Sequence, residues 1–208
     1  MLIHTFPLGA LQTNSYLICN QDTNEAIIID AGARPGKLLE KAADYQVKAI
    51  LLTHAHFDHI AGLHEIREAT GAPVYLHSSE QEWLSDPKLN GAFLWPMVGE
   101  FIKTEKAEFE LEDGQSLELA GFQISVLYTP GHSPGGVSFS IGDHVFSGDA
   151  LFSGSIGRTD LPGGNYEQLI QSVKEKLMPL PDQTVCYPGH GPNTTIGNER
   201  LYNPFLNR

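Results

Sequence analysis

Four potential metal ligands lie within six consecutive positions, directly after the apolar segment 49–52. They are His54, His56, Asp58 and His59. Residues two apart in an extended chain point to the same side, so His54 and His56 can hold one cation. Asp58 and His59 fall where the chain turns into a helix, and they can face a second cation. Because imidazole and carboxylate groups are common ligands of divalent metals, the segment predicts a metal centre.

Three more potential ligands follow other apolar segments. His132 lies in a turn rich in glycine and proline, Asp149 follows residues 145–148, and His190 follows residues 185–189. Each lies close to a glycine at the end of a strand-like segment, where the backbone can pack closely against a site. We therefore predict that all seven side chains meet around two cations.

The elements that must position these residues are short. Apolar segments rich in β-branched and aromatic residues predict strands at 14–19, 26–30, 49–53, 74–77, 122–129, 137–141, 145–147 and 184–187. Segments of helical period predict helices at 35–45, 60–69, 79–85 and 166–177. Gly142 and Asp143 predict a hairpin turn. This mixture of consecutive strands and alternating strands and helices favours an α/β fold in which helices cover the sheets.

Composition excludes several classes of function. The chain has 208 residues, 41% of them hydrophobic, and a formal net charge of −12. This length predicts one domain over residues 1–208, and the negative charge disfavours nucleic acids and anionic membranes as partners. Cys19 and Cys186 are expected to be buried thiols, and the sequence shows neither an export signal nor a membrane-spanning segment. We therefore expect a cytoplasmic protein.

The ligand pattern resembles that of the metallo-β-lactamase superfamily, and the resemblance extends from about Thr13 to His190. It implies an αββα sandwich, in which two mixed sheets face each other and helices lie outside. It also implies how the ligands divide: His54, His56 and His132 for the first metal, Asp58, His59 and His190 for the second, and Asp149 as the bridge between them.

Within the superfamily the sequence is most similar to the glyoxalase II group, the hydroxyacylglutathione hydrolases, and especially to their short bacterial members. Residues 147–152, 154–160 and 187–195 carry this similarity, which implies hydrolysis of a thioester such as S-lactoylglutathione. Only 18 residues follow His190, so the extra C-terminal helical domain of the longer enzymes is expected to be absent. The implied cofactors are two divalent cations per chain, with zinc expected and iron or manganese as alternatives.

The chemistry of the ligand set agrees with thioester hydrolysis. Two cations about 3.5–4 Å apart lower the pKa of a shared water towards 7 and polarise a carbonyl group, and a thiolate leaves without strong acid catalysis. Asp58 is expected to accept a hydrogen bond from the attacking water. Arg158 is the candidate for binding a substrate carboxylate, and bracing its own loop is the competing interpretation. Trp95, Tyr166 and the segment 86–105 are expected either to line the cleft or to pack on the core.

Other functions stay open at this point. A persulfide dioxygenase, which residues 157–160 also resemble, would hold one iron with His54, His132 and Asp149. A metal-bound scaffold without catalysis, or a redox module, is a third interpretation. We disfavour β-lactam hydrolysis because no export signal is visible, and RNA cleavage because of the negative charge. The sequence does not indicate an oligomeric state.

Overall fold

The computed structural model describes residues 1–95, 102 and 104–207. Its first sheet contains six strands, and their spatial order follows the chain. These strands are β1 (Leu2–Leu8), β2 (Thr13–Asn20), β3 (Glu25–Ile29), β4 (Gln46–Leu51), β5 (Val74–His77) and β6 (Phe109–Leu111). Strands β1 to β3 pair antiparallel, whereas β3 to β6 pair parallel, so the sheet is mixed.

The second sheet is also mixed and has six strands. They are β7 (Ser116–Leu119), β8 (Phe122–Tyr128), β9 (Val137–Ile141), β10 (His144–Gly148), β13 (Val185–Pro188) and β14 (Thr194–Thr195), and a separate small hairpin contains β11 (Leu151–Phe152) and β12 (Ser155–Ile156). The spatial order is β14-β13-β10-β9-β8-β7, in which only the β10–β13 pair is parallel. The predicted hairpin at Gly142 and Asp143 is confirmed, since Ile141 pairs with His144.

Short helices connect the strands. They are α1 (Gly36–Ala42), α2 (Phe57–Ile60), α3 (Leu63–Thr70), α4 (Tyr166–Ser172) and α5 (Ile196–Tyr202). Two 3₁₀ helices cover Ser78–Leu84 and Ala92–Leu94, and a π-helical segment, Val173–Leu177, continues α4. In the part of the chain that the structure describes, none of these helices combines the length and apolar character needed to cross a membrane.

The packing confirms the sandwich. Consecutive residues of a strand face opposite sides of a sheet, so each strand of the first sheet contributes to two cores. Ile27 belongs to the core between the sheets, together with Phe139. Ile28 belongs to the core beneath the helices of the first sheet, together with Leu63 of α3. A third core packs α4 on the second sheet through Leu169. The order of layers is therefore helix, sheet, sheet, helix.

The helix predicted at 60–69 is confirmed only in part, because α3 begins at Leu63 and Ile60 ends the separate helix α2, with a break at Gly62. The backbone N–H of Gly62 donates to the carbonyl oxygen of Ala31 at 2.8 Å. A Cβ at position 62 would lie only 2.3 Å from the carbonyl oxygen of Gly32, so no larger residue fits. This close contact with the loop after β3 ends α2 and fixes its direction. Asp58 and His59 both lie on α2.

Several strands were not predicted, and β1 shows why. It contains Pro7, which normally argues against a strand, but β1 lies at the edge of the sheet and pairs only with β2. At an edge a missing N–H need not remove a ladder hydrogen bond. Residues 96–101 and 103 of the segment 86–105 lie outside the described residues. The prediction of one domain over residues 1–208 stays a prediction.

Candidate metal centre

The seven predicted ligands come from one end of the sandwich, where strands of both sheets finish. His54 and His56 lie in the loop after β4, Asp58 and His59 on α2, His132 in the loop between β8 and β9, Asp149 directly after β10, and His190 just after β13. Although up to 136 positions separate them in sequence, the fold brings all seven side chains into one cluster.

The potential ligand atoms form three overlapping groups, and within each group all atoms lie within 4.8 Å of one another. The groups are His54, His56 and His132; His54, His59 and Asp149; and Asp58, His59 and His190. Asp149 lies between the two predicted metal positions, because its Oδ1 is 3.3 Å from Nε2 of His59 and its Oδ2 is 3.5 Å from Nε2 of His132. This arrangement has the shape that the resemblance implies, while metal ligation by these residues stays a prediction.

Four of the five imidazoles are oriented by a partner outside the cluster. Nδ1 of His54 lies 3.0 Å from Oγ1 of Thr53, and Nδ1 of His59 lies 2.8 Å from Oδ2 of Asp30. Nδ1 of His132 lies 2.7 Å from the carbonyl oxygen of Arg158, and Nδ1 of His190 lies 3.1 Å from that of Leu11. Because Nδ1 faces outwards in all four, Nε2 faces the cluster. His56 is reversed, with its Nδ1 lying 2.8 Å from Nε2 of His132.

Whether the ligand cluster suits cations can be judged from its buried atoms that have no hydrogen-bond partner among the described residues. Nε2 of His54 is buried without a hydrogen-bond partner within the described residues, and so are Nε2 of His59 and Oδ1 of Asp149, whose mutual contact of 3.3 Å does not have the geometry of a hydrogen bond. Leaving a buried polar atom unsatisfied costs about 1–3 kcal/mol, so a native cluster of them calls for an explanation. Two bound cations would satisfy all three. The donor set of five imidazoles and two carboxylates therefore fits divalent cations of borderline hardness.

Burial keeps two of the imidazoles neutral. It lowers the pKa of His54, and it lowers that of His56 to about 3, with the neighbouring histidines adding to the effect. Burial alone would raise the pKa of Asp58, but His59 and His190 lower it to about 2. At neutral pH these residues carry the lone pairs and the negative charge that bind cations.

Two other imidazoles hold their second proton more tightly than a free imidazole does. Burial alone would lower the pKa of His59, yet the carboxylates of Asp58 and Asp149 raise it well above its usual range. The pKa of His190 is raised as well: burial opposes the shift, and Asp58, whose Oδ2 lies 3.2 Å from Nε2 of His190, outweighs it. Cation binding at this half of the cluster therefore releases protons and weakens as the pH falls.

Asp30 is a site residue that sequence reasoning missed. Its carboxylate is buried and accepts hydrogen bonds from the N–H and the hydroxyl of Thr53, both at 2.8 Å, as well as from His59. Asp30 thereby orients ligands on the β4 loop and on α2. The sequence offered one signal that could have identified Asp30, namely its position as an acidic residue directly after the buried strand β3.

Glu80 was also missed, and it joins two ligand loops. Its side chain is completely buried, and it accepts hydrogen bonds from the backbone N–H of Ala55 at 2.5 Å and of Gly135 at 2.7 Å. Ala55 lies between two predicted ligands, and Gly135 lies in the loop of His132. Burial raises the pKa of Glu80, while these two N–H groups oppose the rise. Nothing in the local sequence distinguishes Glu80 from a surface acid.

Gly189 makes room for the bridging carboxylate. A Cβ at this position would lie 2.1 Å from Oδ1 of Asp149 and 2.7 Å from Cε1 of His59. Both distances are below van der Waals contact, so the absence of a side chain at position 189 lets the two predicted ligands approach each other.

A cleft opens over the cluster, and Phe57, Trp95, Leu161 and Arg158 are among the residues that line it. Arg158 therefore lies at the cleft over the cluster. Its guanidinium, however, is held by Asp160 through hydrogen bonds of 2.7 and 2.8 Å, which supports the loop-bracing interpretation. Substrate binding by Arg158 stays a prediction. Tyr166 is exposed at the start of α4.

The fold and the ligand cluster together point to one class of protein. The family model described as the metallo-β-lactamase superfamily matches residues 8–190, and the chain belongs to that superfamily. A curated relative, the "Probable metallo-hydrolase YqgX" of Bacillus subtilis, is 44% identical over 97% of this chain and 95% of its own length. Another, "Hydroxyacylglutathione hydrolase GloC" of Haemophilus influenzae, is 37% identical over 100% and 99%.

Solved structures give the same answer for the fold. The BLEG-1 B3 metallo-β-lactamase is 45% identical, covers 100% of both chains and has a TM-score of 0.93. TTHA1623 in a di-iron-bound form is 42% identical over 98% of this chain and 100% of its own, with a TM-score of 0.86. ETHE1 from Myxococcus xanthus is 29% identical over 98% and 84%, with a TM-score of 0.81. The αββα fold is thus confirmed.

Proposed function

We propose that the protein is a binuclear metal-dependent hydrolase that cleaves thioesters such as S-lactoylglutathione. The observation that carries this proposal is the convergence of seven imidazole and carboxylate groups, several of them with buried atoms that have no hydrogen-bond partner among the described residues. The relative named hydroxyacylglutathione hydrolase, similar over the whole chain, supports the choice of thioester.

The predicted ligands divide as the three groups suggest. His54, His56 and His132 would hold one cation, Asp58, His59 and His190 the other, and Asp149 would contact both. When bound, the two cations supply hydroxide near neutral pH and polarise the carbonyl group under attack. Zinc is our first choice, and the di-iron form of TTHA1623 makes iron a serious alternative.

The protein's own groups orient the reaction. Thr13 donates a hydrogen bond to Oδ2 of Asp58 at 2.7 Å, and His190 contacts the same oxygen. Among the described residues no donor reaches Oδ1 of Asp58, which leaves that atom to accept a hydrogen bond from the attacking water. Phe57 and Trp95 provide an apolar wall that would exclude bulk water from the acyl group. A thiolate leaving group has a parent pKa of about 8.5 and needs no strong acid from the protein.

The remaining features of the chain suit a small-molecule substrate. A formal charge of −12 opposes binding to nucleic acids and to anionic membranes. Cys19 and Cys186 are both buried free thiols, and burial raises the pKa of Cys186 to about 12, so neither is a nucleophile. Free thiols are in keeping with a reducing compartment, and we propose that the protein is cytoplasmic and consists of one domain.

Two other activities have specific support. Persulfide oxidation at one iron, held by His54, His132 and Asp149, fits the similarity to ETHE1 from Myxococcus xanthus. Hydrolysis of β-lactams is favoured by the similarity to the BLEG-1 β-lactamase. A scaffold without catalysis is the third alternative, and the presence of all seven predicted ligands argues against it.

Elemental analysis and activity measurements on one preparation separate these candidates. Protein purified without added metal is expected to contain close to two divalent cations per chain and to hydrolyse S-lactoylglutathione. One iron per chain, together with oxygen uptake on glutathione persulfide, would replace our proposal by the dioxygenase. Faster hydrolysis of a β-lactam than of any thioester would replace it by the lactamase. The Asp149→Asn variant is the inactive control in each assay.

A further inference from the structure

A second cleft adjoins the one over the ligand cluster. It lies between the turn Leu8–Leu11 and the loop containing Ala33 and Arg34. Leu11, Phe57 and Asp58 line both clefts. A molecule whose reacting group lies at the cluster can therefore extend over these shared residues as far as Arg34.

The surroundings of Arg34 differ from those of most other basic residues of the chain. It is exposed, and no carboxylate of the described residues lies within 4.0 Å of its side chain. Seven other basic residues form ion pairs: Lys41, Lys48, Arg67, Lys106, Arg158, Lys176 and Arg200. In a chain with 25 acidic and 13 basic residues, an unpaired guanidinium beside a cleft is a candidate binding group for an anion.

The loop that carries Arg34 is held in a defined conformation. Arg34 has a φ of 59°, in the left-handed region that residues with a side chain adopt rarely. The two walls of the second cleft also pack closely, because a Cβ at Gly9 would lie 3.0 Å from Cβ of Ala33. The backbone of Arg34 is therefore held beside the turn, and its side chain extends from a defined point on the wall of the second cleft.

We propose that Arg34 binds a carboxylate of the thiol carrier, while the thioester carbonyl lies at the ligand cluster. This assignment rests on the proposed function for the nature of the reacting group. The chain's net charge of −12 and the carboxylate of Asp58 at the junction of the clefts would otherwise repel an anionic carrier. A guanidinium can offset that repulsion through two parallel hydrogen bonds to a carboxylate.

Binding of a thioether tests the assignment without turnover. S-methylglutathione carries the same carboxylates and cannot be hydrolysed at sulfur, so calorimetry with the metal-loaded protein measures binding alone. Arg34→Ala is expected to weaken binding at least about tenfold, the loss of one charge-assisted contact. Lys37→Ala is the matched control, because it removes the same charge from a neighbouring unpaired side chain that is absent from both cleft linings, and it is expected to change binding less than about twofold. Equal affinities in the two variants, or no binding to the wild type, would overturn the assignment.

Turnover adds a second comparison. For S-lactoylglutathione, Arg34→Ala is expected to raise KM by a similar factor and to leave kcat unchanged. For the uncharged thioester of lactate with N-acetylcysteamine, KM is expected to stay the same, and an equal rise for both substrates would contradict a role in binding the carboxylate. If the wild type hydrolyses no thioester but binds the thioether through Arg34, the proposed function is wrong while the anion site stands.

Discussion

Replacing Glu80 by Gln tests whether one buried carboxylate holds the two ligand loops together. Glu80 accepts one hydrogen bond from Ala55 and one from Gly135, through different oxygens. Gln keeps one acceptor and turns an amide NH₂ group towards the other N–H. The variant thus loses a charge-assisted hydrogen bond and leaves a buried donor unsatisfied, which we expect to cost about 3 kcal/mol. For a chain of this length that corresponds to a fall in Tm of about 6–12 °C.

Glu82→Gln is the control, since it makes the same chemical change two residues further on. Glu82 is 69% exposed and pairs with Lys106 at the surface, a type of contact worth about 0–1 kcal/mol. Urea unfolding and thermal unfolding of both variants give the comparison. A Glu80→Gln variant that unfolds at the same urea concentration and temperature as Glu82→Gln would refute the reasoning, because the buried carboxylate would then contribute no more than an exposed one.

Three further predictions follow from the cluster. Asp149→Asn is expected to abolish thioester hydrolysis while the far-UV circular dichroism stays unchanged, and retained activity would contradict the bridging role. Removing the cations with a chelator is expected to lower Tm by about 5–11 °C relative to protein with cation at about 100 times its Kd, and an unchanged Tm would argue against tight binding. In cation-free protein, the lowered pKa of Asp58 means that its stabilising contribution is fully present above about pH 4 and is lost as the pH falls through about 2. Asp58→Asn should therefore flatten the acid side of the stability profile measured by urea unfolding, and an unaltered profile would contradict this.

Local sequence patterns were informative where one feature dominated. Strands β5 (Val74–His77) and β9 (Val137–Ile141) were predicted at their observed bounds, whereas β4, predicted at 49–53, extends over Gln46–Leu51 because its first three residues are not buried. Strand β1 was missed because Pro7 argues against a strand unless the edge position is known. The break at Gly62 arises from a contact with Gly32, thirty residues earlier, and a helical period cannot report such a contact.

Some residues of the candidate site could likewise be predicted from the sequence, and others could not. The predicted ligands could be found because five of the nine histidines lie near the ends of apolar segments, together with two aspartates. Asp30, Glu80 and Arg34 look like ordinary charged residues until their neighbours are known, since burial, a backbone donor or a missing partner belongs to the tertiary structure. Arg158 was singled out from a local motif, and its hydrogen bonds to Asp160 could not be read from that motif; its role in substrate binding stays a prediction.

Position 189 has a consequence for how this protein tolerates change. An Ala there adds a single methyl group, the smallest substitution available, yet it would press on both the carboxylate of Asp149 and the ring of His59. Such a variant would damage the site as surely as the loss of a ligand, although Gly189 has no side chain to take part in any reaction. A mutational survey restricted to reactive side chains would pass over this position.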